Sequence, residues 1–193
     1  MSNYKETLDK IICSFSSVNS YENCPYGFKL ARLVRDKHGK HLSKLENAFG
    51  LWGTFMHHLF EQYFYGKIEF FEMSDLYVDG YKEAVPLPFP PNRYVDLNEK
   101  YYAVGKEYWD YYEGIPSQYE VLGVESKAEM KVETRPFVGY IDLVLRDKEN
   151  GHLLVYDHKS KSKFTSKKEQ AEYPRQLYLY AEYVKNVYGE YPK

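Results

Sequence analysis

Hydrophobic residues recur at helical spacing through the first half of the chain and again near its end. Apolar positions three or four residues apart lie on one face of a helix, so each such segment predicts a helix that buries that face. The segments with this pattern cover residues 14–36, 49–66, 95–116 and 168–189. Ser14 or Ser16 is the expected N-cap of the first helix, and Gly66 is expected to close the second. Prolines make the segment 86–91 a loop or an extended crossover, because proline fits neither a helix interior nor a central strand.

The pattern changes to that of β-strands in the second half of the chain. Between residues 120 and 133 apolar and charged side chains alternate, which predicts a half-buried strand. Residues 137–147 and 152–160 are more continuously apolar, as expected of strands nearer the centre of a sheet. The predicted order is helices, three antiparallel strands and a closing helix, which indicates an α/β or α+β fold.

Charged residues interrupt the two apolar strands. Asp142 stands between Ile141 and Leu143, where a buried strand would normally carry an apolar side chain. Asp157 follows the apolar run of the next strand, and Lys159 comes two residues later. Burying an unpaired carboxylate costs several kcal/mol or forces the group to take up a proton. A bound metal ion is the leading explanation for acidic residues at these positions.

Strand pairing predicts whether these three side chains meet. The dipeptide Asn150-Gly151 is the strongest turn signal between the two strands. A two-residue turn there would place Asp142 opposite Lys159 and leave Asp157 diagonal to both. A shift of one residue would instead send Asp142 to the other face of the sheet. The turn therefore predicts that the three charged side chains share one face.

Two interpretations of this cluster remain open from the residues alone. Carboxylate oxygens are the ligands that Mg²⁺ or Mn²⁺ prefers, and a lysine beside such an ion can orient a water molecule or stabilise developing charge. Alternatively, Asp142 and Lys159 form a buried ion pair that only holds the hairpin together. The pattern does not choose between a metal site and an ion pair.

Length and composition predict a single globular domain over residues 1–193. The chain is 44% hydrophobic and 28% charged, which is typical of a soluble globular protein. Residues 1–115 are expected to form a mainly helical part and residues 116–193 a core of sheet and helix. No apolar stretch approaches the ~20 residues that a membrane helix needs, and no signal-peptide pattern is present, so a cytoplasmic protein without membrane contact is expected.

Charge, cysteine and tyrosine content narrow the possible partners. The net charge of −2 argues against a generally basic coat for nucleic acid but leaves room for a local basic groove. Cys13 and Cys24 are too few for a disulfide scaffold and are expected to be small buried side chains. The 22 tyrosines are expected mostly in the core and its rim, and some could stack on nucleobases.

The charged cluster resembles a known signature. The sequence GYID at 139–142, followed by DHK at 157–159, is similar to the G-x-I-D…(D/E)-x-K signature of the PD-(D/E)XK nuclease superfamily. The similarity is greatest to its RecB-like exonuclease branch. This resemblance implies a restriction-endonuclease-like core, in which helices flank a central mixed β-sheet that contains an antiparallel hairpin.

Further motifs extend the resemblance over about residues 15–188. Gly53, His57 and Glu61 match the helical G-x-x-x-H-x-x-x-E motif, which implies that His57 binds metal; His58 is the competing histidine. The segment 16–28 resembles the N-terminal S-x-S…CP-x-x-F motif. Three more positions match the strand glutamate and the Q-x-x-x-Y motif of the branch, namely Glu125, Gln176 and Tyr180. A solvated strand face is the alternative for Glu125, and a core position is the alternative for Tyr180.

The chain departs from the branch in two respects. Some relatives bind an iron–sulfur cluster through a cysteine near the position of Cys24 and three more near the C-terminus. No cysteine follows Cys24 here, so no iron–sulfur cluster held by this chain alone is expected. Relatives also continue into a further strand, whereas this sequence ends at Lys193. A truncated chain, a shortened family member and one completed by a partner are all compatible with that ending.

The resemblance implies a set of site residues. The expected metal ligands for Mg²⁺ or Mn²⁺ are His57, Asp142, Asp157 and the backbone carbonyl of His158. Lys159 would position the attacking water, and Gln176 and Tyr180 would support the site or the substrate phosphate. Glu61 and Glu125 are expected beside the ligands or near DNA. A basic track for DNA, or else an exposed solvated loop, is formed by Lys161, Lys163, Lys167 and Lys168.

The implied function is a metal-dependent deoxyribonuclease, with exonuclease action expected. It would hydrolyse phosphodiester bonds in DNA, at single-stranded or duplex ends, during DNA repair, recombination or phage DNA metabolism in a bacterial or phage-infected cell. One alternative is a catalytically inactive module of the same fold that binds DNA ends or a protein partner. Another is a phage structural or inhibitory protein that uses its tyrosines as a contact surface.

Overall fold

A computed structural model describes residues 5–39, 46–159 and 167–193. A 3₁₀ turn at Phe70–Glu72 precedes the fifth helix. The helices of the described residues are α1 (Lys5–Lys10), α2 (Phe15–Asn23), α3 (Pro25–Arg32), α4 (Ala48–Phe64), α5 (Met73–Ala84), α6 (Leu97–Asp110) and α7 (Lys167–Tyr188). The strands are β1 (Tyr119–Val132), β2 (Arg135–Asp147) and β3 (Leu153–Tyr156). The prediction of an α/β fold with a sheet and flanking helices is confirmed.

The first predicted helix is in fact two helices, α2 and α3. Ser14 caps α2 by accepting a hydrogen bond from the Ser17 backbone N–H at 3.2 Å. Cys24 separates the helices because Pro25 lacks an N–H and forces the residue before it into an extended conformation. The Cys24 thiol then accepts a hydrogen bond from the Gly27 N–H, which begins α3. Cys24 is exposed and Cys13 is half-buried, so the prediction that both would be buried was wrong.

Helix α5 has no counterpart among the predicted helices. Its two fully buried residues, Met73 and Tyr77, lie near its start, so the sequence shows little periodicity along the rest of it. Tyr77 is held by tertiary contacts: its hydroxyl accepts a hydrogen bond from Trp52 Nε1 at 3.0 Å and lies 3.1 Å from the Tyr101 carbonyl. A side chain at Gly105 would collide with the Tyr77 ring, which explains the glycine inside α6. Packing against α4 and α6 thus defines α5.

Two clusters of buried hydrophobic residues form the cores of the described part of the chain. The helical core joins α4, α5, α6 and the loop after α5, and its largest buried members are Trp52, Met56, Phe60, Met73, Tyr77 and Trp109. The sheet core joins the strands to α7, and its buried members are Ala128, Ile141, Val144, Leu153, Tyr180 and Val184. Burial of large apolar side chains is the main stabilising contribution in both. The proline-rich segment 86–91 contains no helix or strand, as predicted.

The sheet has the strand order β1-β2-β3, and the pairings between these strands are antiparallel. A mixed sheet was expected, but these three strands pair only antiparallel, and a parallel bridge joins Cys13 to Phe137 of β2. In that bridge the Cys13 N–H donates to the Pro136 carbonyl, and the Val138 N–H donates to the Cys13 carbonyl. The chain before α2 is thereby attached to β2.

The turn between β2 and β3 differs from the prediction. Val144 pairs with Val155, and the Asp147 N–H donates to the His152 carbonyl, so residues 148–151 form a four-residue loop. Gly151 adopts a φ of 76° there, a conformation that glycine supplies at little cost. The predicted two-residue turn was therefore wrong, because the longer loop moves the register by two residues.

The corrected register changes which residues are opposite each other. Continued past the end of β3, it places Asp142 opposite Asp157 rather than opposite Lys159. A shift by two residues keeps every side chain on its predicted face, since the side-chain period of a strand is two. The expected convergence of Asp142, Asp157 and Lys159 on one face is therefore compatible with the observed register.

No helix in the described part of the chain is long and apolar enough to cross a membrane. The closing helix α7 spans Lys167–Tyr188, near its predicted bounds, with Pro174 inside it. Helices α1–α6 all precede the sheet. The division into a helical part at 1–115 and a core at 116–193 remains a prediction.

Candidate metal centre

Glu125 and Asp142 occupy facing positions on neighbouring strands. Val124 pairs with Leu143 and Ser126 pairs with Ile141, which leaves Glu125 opposite Asp142 between them. Glu125 has a φ of 44°, a left-handed conformation that is costly for a residue other than glycine. Backbone strain of this kind persists where surrounding structure fixes the residue, and it is frequent at functional sites.

His57 brings the third donor to these two carboxylates from α4. Its Nδ1 lies 3.7 Å from the Asp142 Oδ2, and its side chain is 32% exposed. Donor atoms of His57, Glu125 and Asp142 lie within 4.8 Å of one another. His58 lies 3.7 Å from Glu61 Oε2 instead, with a side chain 56% exposed. Of the two adjacent histidines, the structure brings His57 to the carboxylates.

The electrostatics of this trio fit a cation. Burial raises the pKa of Asp142, and the charge of Asp157 adds to that effect against the opposing influence of His57. Burial also raises the pKa of Glu125, followed by repulsion from Asp142. The ionised forms of both carboxyls are therefore disfavoured without a positive charge between them. Two carboxylates and an imidazole form a donor set of the kind that can hold a divalent ion.

Asp157 is held by two neighbours on its own side of the site. It forms an ion pair with Lys159 Nζ. Its Oδ1 accepts a hydrogen bond from Gln176 Nε2 at 3.1 Å, and the same Nε2 lies 2.7 Å from the Tyr180 hydroxyl. Burial raises the pKa of Tyr180, whose ring packs so close to Gly139 that a side chain there would collide with it. The structure thus connects Tyr180, Gln176, Asp157 and Lys159 in one chain of contacts.

His158 anchors the end of β3 against α4. Its ring stacks on Phe60 at 4.2 Å with an angle of 10° between the ring planes. Its backbone N–H donates to Asp142 Oδ2 at 2.5 Å. Burial lowers the pKa of the His158 ring to about 4, with repulsion from His57 second. The neutral ring is a packing element, which sequence reasoning missed, although Phe60 and Phe64 recur one turn apart on α4.

The remaining predicted site residues lie around this centre or outside the described residues. Glu61 lines the same small cleft as His57, Glu125 and Asp142. Lys167 begins α7 and is exposed. Lys161 and Lys163 lie outside the described residues, as does the side chain of Lys168. The roles of these residues, and of the His158 carbonyl, remain predictions.

Comparison with known proteins addresses the family directly. No curated protein and no solved structure matches the chain. The model of the PD-(D/E)XK nuclease superfamily matches residues 13–193, which include every residue of the candidate centre. Members of this superfamily are nucleases that use divalent metals and act on nucleic acid, so a nuclease-type function is supported. The chain belongs to the PD-(D/E)XK nuclease superfamily.

Proposed function

We propose that this protein is a metal-dependent deoxyribonuclease of the RecB-like branch that acts as an exonuclease. The observation that carries the proposal is the convergence of His57, Glu125 and Asp142 within 4.8 Å. The ion pair of Asp157 with Lys159, at the positions of the superfamily signature, adds to it. A divalent cation at this centre would polarise a phosphoryl oxygen and lower the pKa of a bound water.

Each residue of the centre has a proposed role. His57, Glu125 and Asp142 hold the ion, and Asp157 is a further ligand that also fixes Lys159. Glu125 was expected beside the ligands or near DNA, and its donor atom within the trio supports a role as a ligand. Lys159 positions the attacking water and stabilises negative charge on the phosphoryl group. Gln176 orients Asp157, and Tyr180 supports Gln176.

The proposed substrate is DNA with a free end, and the proposed setting is the cytoplasm. Repair, recombination and phage DNA metabolism all supply such ends. Mg²⁺ and Mn²⁺ are the proposed ions because carboxylate oxygens make up most of the donor set. The proposed unit is the single domain of residues 1–193.

Cleavage of end-labelled DNA tests this function. Wild-type protein with Mn²⁺ should shorten single-stranded or duplex DNA from its ends and spare circular DNA. Asp142→Asn should abolish cleavage and Lys159→Ala should slow it by at least about 10²-fold. Asp79→Asn and Lys82→Ala, at exposed positions of α5, should cut like wild type. No cleavage of single-stranded DNA, duplex DNA or RNA with either ion would overturn the proposal. DNA-end binding without cleavage would then favour the inactive binding module.

A further inference from the structure

A cavity of about 240 Å³ opens between α4 and α6, beside the candidate metal centre. Its walls are apolar and largely aromatic, and they are formed by Trp52, Met56, Phe60, Tyr101, Val104 and Tyr108. A volume of this size suits one planar ring system. Apolar walls with a few polar groups are typical of binding sites for small organic groups.

The cavity and the metal centre share residues. His57, His158 and Lys159 line the cavity, and His57 is also one of the three donors of the metal centre. A group bound in the cavity would therefore lie next to the ion and next to the lysine proposed to position water. The cavity is a continuation of the cleft in which hydrolysis is proposed.

One polar feature of the cavity suits a nucleotide. Lys100 lies at the cavity on α6 and forms no ion pair with any described residue, so its charge is available for a phosphate.

We propose that this cavity binds the unpaired base of the nucleotide next to the phosphodiester that is cut. Aromatic walls give the base flat surfaces for stacking, and Lys100 contacts the backbone phosphate on its far side. The inference rests on the proposed nuclease function, and it adds a requirement on the substrate. A base paired in a duplex cannot enter the cavity, so the substrate must be single-stranded or frayed at its end.

A filled cavity tests this inference. Val104 is 44% exposed on α6 and lines the cavity, so Val104→Phe should fill it without disturbing either core. The matched control is Ala103→Phe, which adds an aromatic ring at an exposed neighbouring position outside the cavity. Tyr108→Ala, at a position 45% exposed, removes a wall instead of filling the space. Mn²⁺ affinity should be unchanged in all three variants.

The first readout is cleavage of two single-stranded oligonucleotides, one intact and one without the base of its terminal nucleotide. Wild type should cut the intact strand about tenfold faster, a ratio within the range of one base stacking on an aromatic side chain. Val104→Phe and Tyr108→Ala should lose about tenfold on the intact strand and show no further loss on the abasic one. Equal abasic penalties in wild type and Val104→Phe would overturn the inference while leaving the nuclease function intact.

The second readout does not require cleavage. A single strand with 2-aminopurine at its end, mixed with wild-type protein in Ca²⁺, should lose fluorescence as the base stacks in the cavity. Val104→Phe should prevent that loss, and Ala103→Phe should not. Quenching by a wild type that never cuts would support the base pocket and contradict the nuclease function. No quenching by wild type, or equal quenching by Val104→Phe, would contradict the pocket itself.

Discussion

Glu125 faces Asp142 across neighbouring strands, and it does so with a left-handed backbone of φ 44°. This conformation costs a glutamate of the order of 1–2 kcal/mol, and the facing carboxylate adds repulsion. Both costs lower the stability of the metal-free protein. Both are consistent with a position retained to supply a metal ligand.

Glu125→Asn should therefore lower the affinity for metal and raise the stability of the metal-free protein. Asn tolerates the left-handed conformation and carries no charge, so the free energy of unfolding without metal should rise by about 1 kcal/mol. Mn²⁺ affinity, measured by calorimetry, should fall at least about tenfold, because an ionised oxygen donor is lost.

The control for Glu125 is Glu133, which also has a positive φ, of 54°, but lies in the turn between β1 and β2. Glu133→Asn should raise stability similarly and leave Mn²⁺ affinity unchanged. Equal Mn²⁺ affinity in Glu125→Asn and wild type would show that Glu125 is not a ligand.

Lys159 should be needed for hydrolysis but not for metal binding. Its amine pairs with Asp157 and lies outside the trio of donors. Lys159→Ala should lower kcat by about 10²–10³, the usual cost of losing one group that stabilises transition-state charge. Mn²⁺ affinity should stay within about threefold of wild type, whereas Asp142→Asn should lose both properties. A parallel loss of Mn²⁺ binding in Lys159→Ala would argue against this division of roles.

Gln176 should act as a positioning residue, through Asp157. Its Nε2 contacts both the Asp157 carboxylate and the Tyr180 hydroxyl. Gln176→Leu should lower kcat about tenfold with little change in KM, because the substrate does not need this amide for binding. Tyr180→Phe keeps the ring against Gly139 and removes only the hydroxyl, so its effect should be smaller. A larger loss in Tyr180→Phe, or a change in KM alone, would contradict the proposed role.

Asp110 should stabilise the helical core in a pH-dependent way. It accepts hydrogen bonds from Lys106 Nζ at 2.5 Å and from the Ser74 hydroxyl, and these lower the pKa of its carboxyl. Because the pKa of Asp110 is lower in the folded than in the unfolded protein, the unfolded chain binds more protons in acid. The stabilisation by the ionised carboxyl is therefore complete above about pH 4 and is lost as the pH falls further.

The test for Asp110 is a comparison of melting temperatures. Wild type should melt above Asp110→Asn at pH 7, and the difference should shrink progressively as the pH falls below about 4. Asp79→Asn, at an exposed position on α5, should melt like wild type at both pH values. A difference that persists in acid would mean that the Asp110 side chain acts through packing rather than through its charge.

Most of the fold followed from periodicity, because long apolar stripes and alternation are strong local signals. The break at Cys24 was also present in the sequence, in the proline that follows it, but the continuous apolar stripe favoured one helix. Helix α5 was missed because the side chains that define it, above all Tyr77, are fixed by hydrogen bonds to distant helices. Local patterns carry no information about such contacts.

The candidate centre was only partly predictable from the sequence. The motif pointed to Asp142, His57 and Lys159. The predicted register was wrong by two residues, but a shift of two leaves each side chain on its predicted face of the sheet. The place of Glu125 within the trio depends on an unusual backbone conformation, which no propensity predicts for a glutamate. The stacking of His158 on Phe60 joins a strand end to a helix more than 90 residues away in the chain, and only tertiary structure shows it.

The division of the protein into two cores has a mechanical consequence for the centre. His57 belongs to a helix of one core, whereas both carboxylates belong to strands of the other, so an ion held by all three would act as a crosslink between the two halves. Metal binding should then make the two cores unfold in one transition. A variant that destabilises only the helical core should lower the affinity of the protein for the ion. The proposed ion would thus add to the contacts that already join the two cores, such as the stacking of His158 on Phe60.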